Sequence, residues 1–172
     1  MKLHYSDFEL FGLPQRYAQE RPEIDQRWKE LQREAHPDRF AAQGHTAQRA
    51  ALQWSVRINE AYQRLKDPLK RAAYLCELLG APIQAHSNTA MPAEFLMEQM
   101  EWREALDEAK GEPALEALAE RVTERRKDML ARIQQLLDEQ GDAPAAAKQV
   151  RALMFIERFA GDIETRLAQL GQ

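Results

Sequence analysis

His36, Pro37 and Asp38 are the residues whose chemistry stands out most, because they lie next to one another between two stretches of helical pattern. Proline cannot continue an α-helix, since it lacks a backbone N–H and its ring clashes with the preceding turn, and it also disfavours a helical conformation for the residue before it. The sequence therefore predicts an imidazole and a carboxylate on a stiff, exposed bend. A rigid polar bend between helices is typical of a contact point for a partner.

An enzymatic acid–base pair is a second interpretation of His36 and Asp38. Against it, residues on either side of a proline tend to diverge, and the sequence offers neither a neighbouring nucleophile nor a phosphate-binding loop. Cys76 is the only cysteine, which rules out a disulfide within the chain and a cysteine-based metal site. We therefore expect no catalytic residue, no cofactor and no metal.

The composition indicates a folded, acidic protein. The 172 residues are 44% hydrophobic and 30% charged, with a formal net charge of −4, so the chain can bury a core and is a poor candidate for binding nucleic acid. No window approaches the roughly 20 apolar residues that span a membrane. The first ten residues, MKLHYSDFEL, have no apolar signal core. We expect a cytoplasmic protein that binds neither nucleic acid nor a membrane.

Apolar residues repeat at helical spacing along almost the whole chain, and alternating strand patterns are absent, so the predicted fold class is all-α. Ser6 and Glu9 have the spacing of a capping box, which predicts a short first helix that ends at Gly12. The longer helices are predicted at residues 22–36, 46–66, 68–79, 92–110, 113–140 and 142–170.

Residues 81–91 (APIQAHSNTAM) form a polar, small-residue stretch between strong helical patterns. We interpret them as a linker between a domain of residues 1–80 and a second domain of residues 92–172. The last three helices have apolar seams at near-heptad spacing and short connections. This combination predicts antiparallel helices in a C-terminal three-helix bundle.

The surroundings of the His-Pro-Asp tripeptide resemble a J domain. A basic helix precedes it, a loop over residues 39–45 follows it, and residues 59–62 (NEAY) match the pattern N-x-A-Y. Residues 67–74 (DPLKRAAY) then match D-P-x-x-R-x-x-Y. The resemblance covers about residues 4–78 and implies a helical hairpin with the tripeptide loop at its end. One departure is Ala35, where many J domains have an aromatic residue.

Two further segments, residues 7–14 (DFELFGLP) and 95–101 (FLMEQME), are similar to the HscB family of J-type co-chaperones of bacterial iron–sulfur cluster assembly. The resemblance implies a protein that binds the scaffold IscU, brings it to the DnaK-type chaperone HscA, and stimulates ATP hydrolysis by that chaperone. Two alternatives stay open: a J protein that serves a different client through its C-terminal bundle, and a passive helical scaffold.

The resemblance also implies a set of chaperone-binding residues. Asp38 would pair with a cationic network on the ATPase, while His36 and Pro37 would hold the loop and add contacts. Four basic residues would meet an acidic surface of the chaperone: Arg27, Lys29, Arg33 and Arg39. For Arg27, Lys29 and Arg33, the alternative is an ordinary solvated helix face.

The helix over residues 92–110 carries more apolar residues than one buried face needs. Phe95, Trp102 and Leu106 fall within a narrow arc, which is the natural face toward the other helices. Leu96, Met97 and Met100 project away from that arc, and methionines rimmed by charges suit a protein-binding patch. The predicted scaffold-binding residues, at positions that contact IscU in HscB-like proteins, are Leu96, Met97, Met100, Glu101, Arg103, Glu104 and Phe155.

Three alternatives remain for this second surface. The apolar trio on the 92–110 helix could instead pack against the J domain. Phe155 lies about a third of a turn off the seam of the last helix, so core packing is as good an interpretation for it as partner contact. Self-association through the short seams is also open, and we expect a monomer.

Overall fold

The computed structural model describes residues 4–83, 91 and 93–171. In this part of the chain the α-helices are α1 (Asp7–Phe11), α2 (Arg21–Ala35), α3 (His45–Lys66), α4 (Pro68–Leu78), α5 (Ala93–Glu108), α6 (Glu112–Gln134) and α7 (Ala143–Leu170). The same residues contain no strand, which confirms the predicted all-α class. None of these helices is both long and apolar enough to cross a membrane.

Two segments depart from α-helical geometry. Residues Pro37–Gln43 form a 3₁₀ helix between α2 and α3, where the sequence predicted an irregular loop over residues 39–45. Residues Gln135–Glu139 continue α6 as a π-helix. Leu136 and Leu137 of this segment are both buried.

The chain forms two compact units, Met1–Leu75 and Cys76–Gln172, and the division falls inside α4. Most of the predicted linker, residues 84–90, lies outside the described residues. The domain boundaries drawn from the sequence therefore stay a prediction.

In the first unit, α2 and α3 form an antiparallel hairpin. Trp28 contacts Tyr62 near one end of the pair, and the Ser55 hydroxyl donates a hydrogen bond to the Ala35 carbonyl near the other end. Apolar side chains from three helices fill the space beneath, among them the fully buried Phe8, Phe11, Ile24, Ile58 and Leu65. This hairpin holds the 3₁₀ segment at its tip.

The short helix α1 is fixed by a buried carboxylate. The predicted capping box is present, with the Ser6 hydroxyl and the Glu9 carboxylate each accepting the other residue's backbone N–H. Asp7 is fully buried, and its carboxylate accepts hydrogen bonds from Arg64 at 2.6 and 2.9 Å and lies 2.8 Å from Arg57 Nη1. The hydrogen bond to Asp7 raises the pKa of Arg64, so the guanidinium stays charged.

The residues of the D-P-x-x-R-x-x-Y pattern connect α4 to the rest of the unit. Asp67 caps α4 by accepting the backbone N–H groups of Leu69 and Lys70. The buried Arg71 donates to the carbonyls of Tyr17 and Leu65 at 2.7 and 2.5 Å. The pattern is therefore structural: Asp67 satisfies backbone N–H groups and Arg71 satisfies backbone carbonyls.

In the second unit, α5, α6 and α7 pack through apolar seams. Rings from α5 and α7 contact one another, with centroids 5.8 Å apart for Phe95 and Phe155 and 5.4 Å apart for Trp102 and Phe159. A bidentate pair between Arg125 and Glu98, at 2.6 and 3.2 Å, joins α6 to α5. The residues buried along the α6–α7 seam include Leu115, Leu118, Val122, Met129, Ile133, Val150, Leu153, Ile156 and Ile163.

Candidate functional site

The His-Pro-Asp segment is a capped turn. His36 leaves the helical region with φ −62° and ψ 128°, as the following proline requires, and Pro37 begins the 3₁₀ helix. His36 Nδ1 accepts the backbone N–H of Asp38 at 3.2 Å, and the Arg39 N–H donates to the His36 carbonyl at 3.0 Å. The imidazole therefore fixes the backbone from which the Asp38 carboxylate projects.

The Asp38 carboxylate faces solvent. Its side chain is 93% exposed, and Oδ2 lies 3.7 Å from His36 Nδ1. This proximity corrects the expectation that the two groups diverge: proline restricts the backbone, but the imidazole turns back to cap the turn. A carboxylate this exposed is available to a cation on another protein. Within residues 4–83, 91 and 93–171, no group of three or more His, Cys, Asp or Glu side chains is arranged to hold a metal ion.

A shallow groove of 490 Å³ runs along α2 to this turn, and its lining residues are Trp28, Lys29, Gln32, Arg33, His36 and Arg39. The structure thus brings together three of the four predicted basic residues with the histidine. Arg27 points elsewhere, with its guanidinium beside Gly12 at the end of α1. The groove is apolar along its floor and cationic along its edges.

The floor of the groove depends on α3. Trp28 stacks on Tyr62 with ring centroids 4.6 Å apart, and its Nε1 donates to Asn59 Oδ1 at 2.9 Å. Gln32 donates to the same amide oxygen at 2.7 Å. Asn59 and Tyr62 of the N-x-A-Y pattern therefore hold the two α2 side chains in place. The Tyr62 hydroxyl in turn donates to Asp25 at 2.8 Å.

Sequence reasoning missed Trp28 and Gln32 as groove residues. The available signal was their spacing: Trp28 and Gln32 are four residues apart, as are Lys29 and Arg33, so the two pairs run side by side along α2. Hydrogen bonds from Arg21 and Tyr62 lower the pKa of Asp25, which keeps this carboxylate ionised as the acceptor behind the groove.

Arg39 combines two roles. Its Nη1 donates to the Arg33 carbonyl at 3.2 Å and so satisfies one of the unpaired oxygens at the C-terminal end of α2. A cation at that end is also favoured by the helix dipole. The guanidinium is therefore held at the edge of the groove, and the residue is exposed.

A second exposed surface lies on α5. Phe95, Trp102 and Leu106 are buried, as the helical wheel predicts. On the opposite side Leu96 is 45% exposed, and Met97 and Met100 are each 65% exposed. The three charged residues of the predicted rim are also exposed: Glu101, Arg103 and Glu104. We call Leu96, Met97 and Met100 the methionine patch.

Phe155 lies in the core of its unit and not in the methionine patch. It is 7% exposed, and its ring contacts Phe95 edge-on and stacks on Phe159 with centroids 6.0 Å apart. The Arg103 guanidinium covers its outer face, 5.4 Å from the ring centroid. The core-packing alternative therefore describes its position, and direct contact with a scaffold stays a prediction.

The hairpin with a capped His-Pro-Asp turn and a basic groove, joined to a separate three-helix unit, defines a J-domain co-chaperone. Comparison with known proteins is more specific. Residues 91–164 match the family model described as the HSCB C-terminal oligomerisation domain. The chain is 46% identical to the co-chaperone HscB homologue of Burkholderia mallei over 99% of this chain and 98% of the relative. This chain belongs to the HscB family of co-chaperones.

Solved structures agree with this assignment. The chaperone HscB from Vibrio cholerae has a TM-score of 0.83 and 38% identity, covering 96% of this chain and 99% of that one. The human co-chaperone HscB has a TM-score of 0.90 and 26% identity, covering 96% and 84%. Membership implies a non-enzymatic role and a chaperone partner of the Hsp70 kind. Because the family model is described by oligomerisation, the monomer expected from the sequence stays a prediction.

Proposed function

We propose that this protein recruits an IscU-type iron–sulfur scaffold to an HscA-type chaperone in the cytoplasm and stimulates ATP hydrolysis by that chaperone. The observation that carries the proposal is the presence of two exposed surfaces of different chemistry in two separate units of one chain. One is the basic groove ending at Asp38, and the other is the methionine patch on α5.

The basic groove suits an acidic partner surface. Lys29, Arg33 and Arg39 gather on one side of a chain whose net charge is −4, so the local field there opposes the overall charge. Asp38 adds one exposed carboxylate at the end of the groove, where it pairs with a cation of the ATPase. Binding that favours the hydrolysis-competent state of the chaperone accelerates turnover without any catalytic group on this protein.

The methionine patch suits a protein client. Three neighbouring apolar side chains stay exposed on a helix whose other face is already buried, so the fold itself does not use them. Methionine adapts its shape to a partner, and the charged rim at Glu101, Arg103 and Glu104 sets the orientation of docking. Phe155 is connected to this rim through Arg103, whose guanidinium lies over the Phe155 ring.

The test is steady-state ATP turnover by a purified HscA-type chaperone, with and without an IscU-type scaffold. We expect the wild-type protein to stimulate turnover, scaffold to increase the effect, and His36→Gln to abolish it. His4→Gln is the matched control, because His4 is exposed and distant in sequence from the turn. Stimulation that does not respond to the scaffold would favour a different client, and no stimulation by the wild type would refute the proposal.

A further inference from the structure

A groove of 450 Å³ on the second unit extends beyond the predicted scaffold-binding residues. Arg103 of α5 lines one side, and the remaining lining comes from α7, including Arg158, Gly161 and Asp162. Phe155 and Phe159 form its apolar floor. Arg103 follows Met100 by three residues on α5, so the groove continues the methionine patch by one helical turn.

The two guanidinium groups of the groove are unpaired. Arg103 lies over the Phe155 ring, and neither it nor Arg158 makes a hydrogen bond or an ion pair with any residue that the structure describes. In contrast, Arg125, Arg126 and Arg166 of the same unit each lie against a carboxylate. The groove thus presents two cations and one exposed carboxylate, Asp162, leaving one net positive charge for a ligand.

Gly161 leaves the backbone of α7 accessible from the groove. It lies in the interior of α7, where glycine is less stable than alanine because the unfolded chain is more flexible. A Cβ built there meets no atom within 4 Å, so the packing of this chain does not require glycine. A partner that approaches the helix backbone closely would require it.

We propose that this groove binds a carboxylate-bearing segment of the client scaffold, with the carboxylate between Arg103 and Arg158 and the segment's backbone against Gly161. The identity of the partner rests on the proposed function. Charge complementarity selects an acidic group, since two guanidinium donors face a single carboxylate of the protein itself. Continuity with the methionine patch places both contacts within reach of one partner surface.

The first test is the affinity of purified IscU-type scaffold, measured by isothermal titration calorimetry. We expect Arg158→Ala to weaken binding about tenfold and Arg158→Glu to weaken it further, because a charged hydrogen bond is lost and then replaced by repulsion. Arg121→Ala is the matched control, since Arg121 is an exposed arginine on α6 that does not line the groove. It should bind as the wild type does.

The second test uses substitutions of Gly161, which should increase the stability of the helix but weaken scaffold binding. Gly161→Ala and Gly161→Leu should both raise the melting temperature, because alanine and leucine favour the helix over glycine and the added Cβ meets no atom within 4 Å, while Gly161→Leu should weaken scaffold binding by filling the approach to the backbone. A role limited to folding cannot produce this combination. Both variants should leave chaperone stimulation in the absence of scaffold unchanged.

The outcomes separate this inference from the proposed function. Scaffold affinity could fall with Met97→Ala but not with Arg158→Glu or Gly161→Leu. This result would overturn the groove proposal and leave the proposed function standing. Absence of any wild-type binding would overturn the proposed function and the groove with it. If the groove variants altered self-association in sedimentation equilibrium but not scaffold affinity, the occupant would be a second copy, and the proposal would be wrong.

Discussion

The basic groove and the methionine patch are built by opposite means. Around the His-Pro-Asp turn, hydrogen bonds within the chain fix the backbone and the floor of the groove: His36 caps Asp38, Arg39 caps α2, and Asn59 holds Trp28. On α5 the exposed side chains Met97 and Met100 have solvent on most of their surface. One site is fixed by hydrogen bonds, while the other is left free above an aromatic core.

This difference bears on what each surface can recognise. A prearranged set of charges loses little conformational freedom on binding and rejects partners whose charges do not match. Flexible methionines lose more freedom but tolerate changes in the shape of the partner. The first arrangement suits the constant surface of an ATPase, and the second suits a client that changes as it is handed over.

Asp38→Asn should have the largest effect, because it should abolish the function of the basic groove and leave the methionine patch intact. The substitution keeps the shape but removes the charge, so a cation on the chaperone is left unpaired at a cost of about 2–5 kcal/mol in binding. We expect stimulation of ATP turnover to be lost and scaffold affinity to be unchanged. The fold should be unaffected, because the side chain is 93% exposed.

Asp128→Asn is the matched control for this change, since it removes an exposed carboxylate from α6 in the other unit. It should stimulate turnover normally. Loss of both activities in Asp38→Asn would mean that the two surfaces do not act separately.

Asp7→Ala should lower the stability of the first unit, which carries the basic groove. The buried carboxylate neutralises Arg57 and Arg64, and removing it leaves both cations without their partner. We expect a loss of about 3 kcal/mol, the lower end of the range for a broken buried pair, because Arg64 can turn toward water. The measurement is denaturant unfolding followed by circular dichroism.

The control for Asp7→Ala is Asp107→Ala, which removes an exposed carboxylate 3.8 Å from Arg166. An exposed pair contributes at most about 1 kcal/mol, so stability should hardly change. An equally small loss of stability in the two variants would show that the Asp7 network does not stabilise the J domain.

Met97→Ala combined with Met100→Ala should impair the methionine patch and leave the basic groove intact. Losing two apolar contacts is expected to reduce scaffold affinity by about 1–2 kcal/mol, with chaperone stimulation in the absence of scaffold unchanged. The melting temperature should stay the same, because both side chains are 65% exposed. Phe155→Ala provides the contrast: its ring is buried, so it should lower stability as well as affinity. An unchanged melting temperature in Phe155→Ala would contradict the burial of this ring in the core.

The sequence predicted the helices well because each carries a local signal. Ser6 and Glu9 form the predicted capping box, and Asp67 caps α4 as its position before Pro68 indicated. Phe95 and Trp102 are buried as their helical period requires. Caps and periods are encoded within a few residues, so they can be interpreted without knowing the tertiary structure.

The rest depends on contacts between distant residues. Trp28 became part of a groove floor because Asn59 and Tyr62, about thirty residues away, hold it there. Phe155 was ambiguous because its burial depends on Phe95 of another helix. Periodicity ranks the faces of one helix, but it does not tell which neighbouring helix covers a residue at the edge of a face.

Salt should distinguish the two surfaces by a smaller effect. Raising ionic strength screens exposed charges, so chaperone affinity through Lys29 and Arg33 should fall several-fold between low and physiological salt, while binding at the methionine patch should change less. Lys29→Ala should flatten the salt dependence of chaperone affinity. Arg27→Ala should flatten it less, because the Arg27 guanidinium lies beside Gly12 and does not line the groove. The measurement is chaperone affinity at a series of salt concentrations. Equal slopes for the two variants would mean that the chaperone contacts the whole basic helix, and the groove would then have no special role.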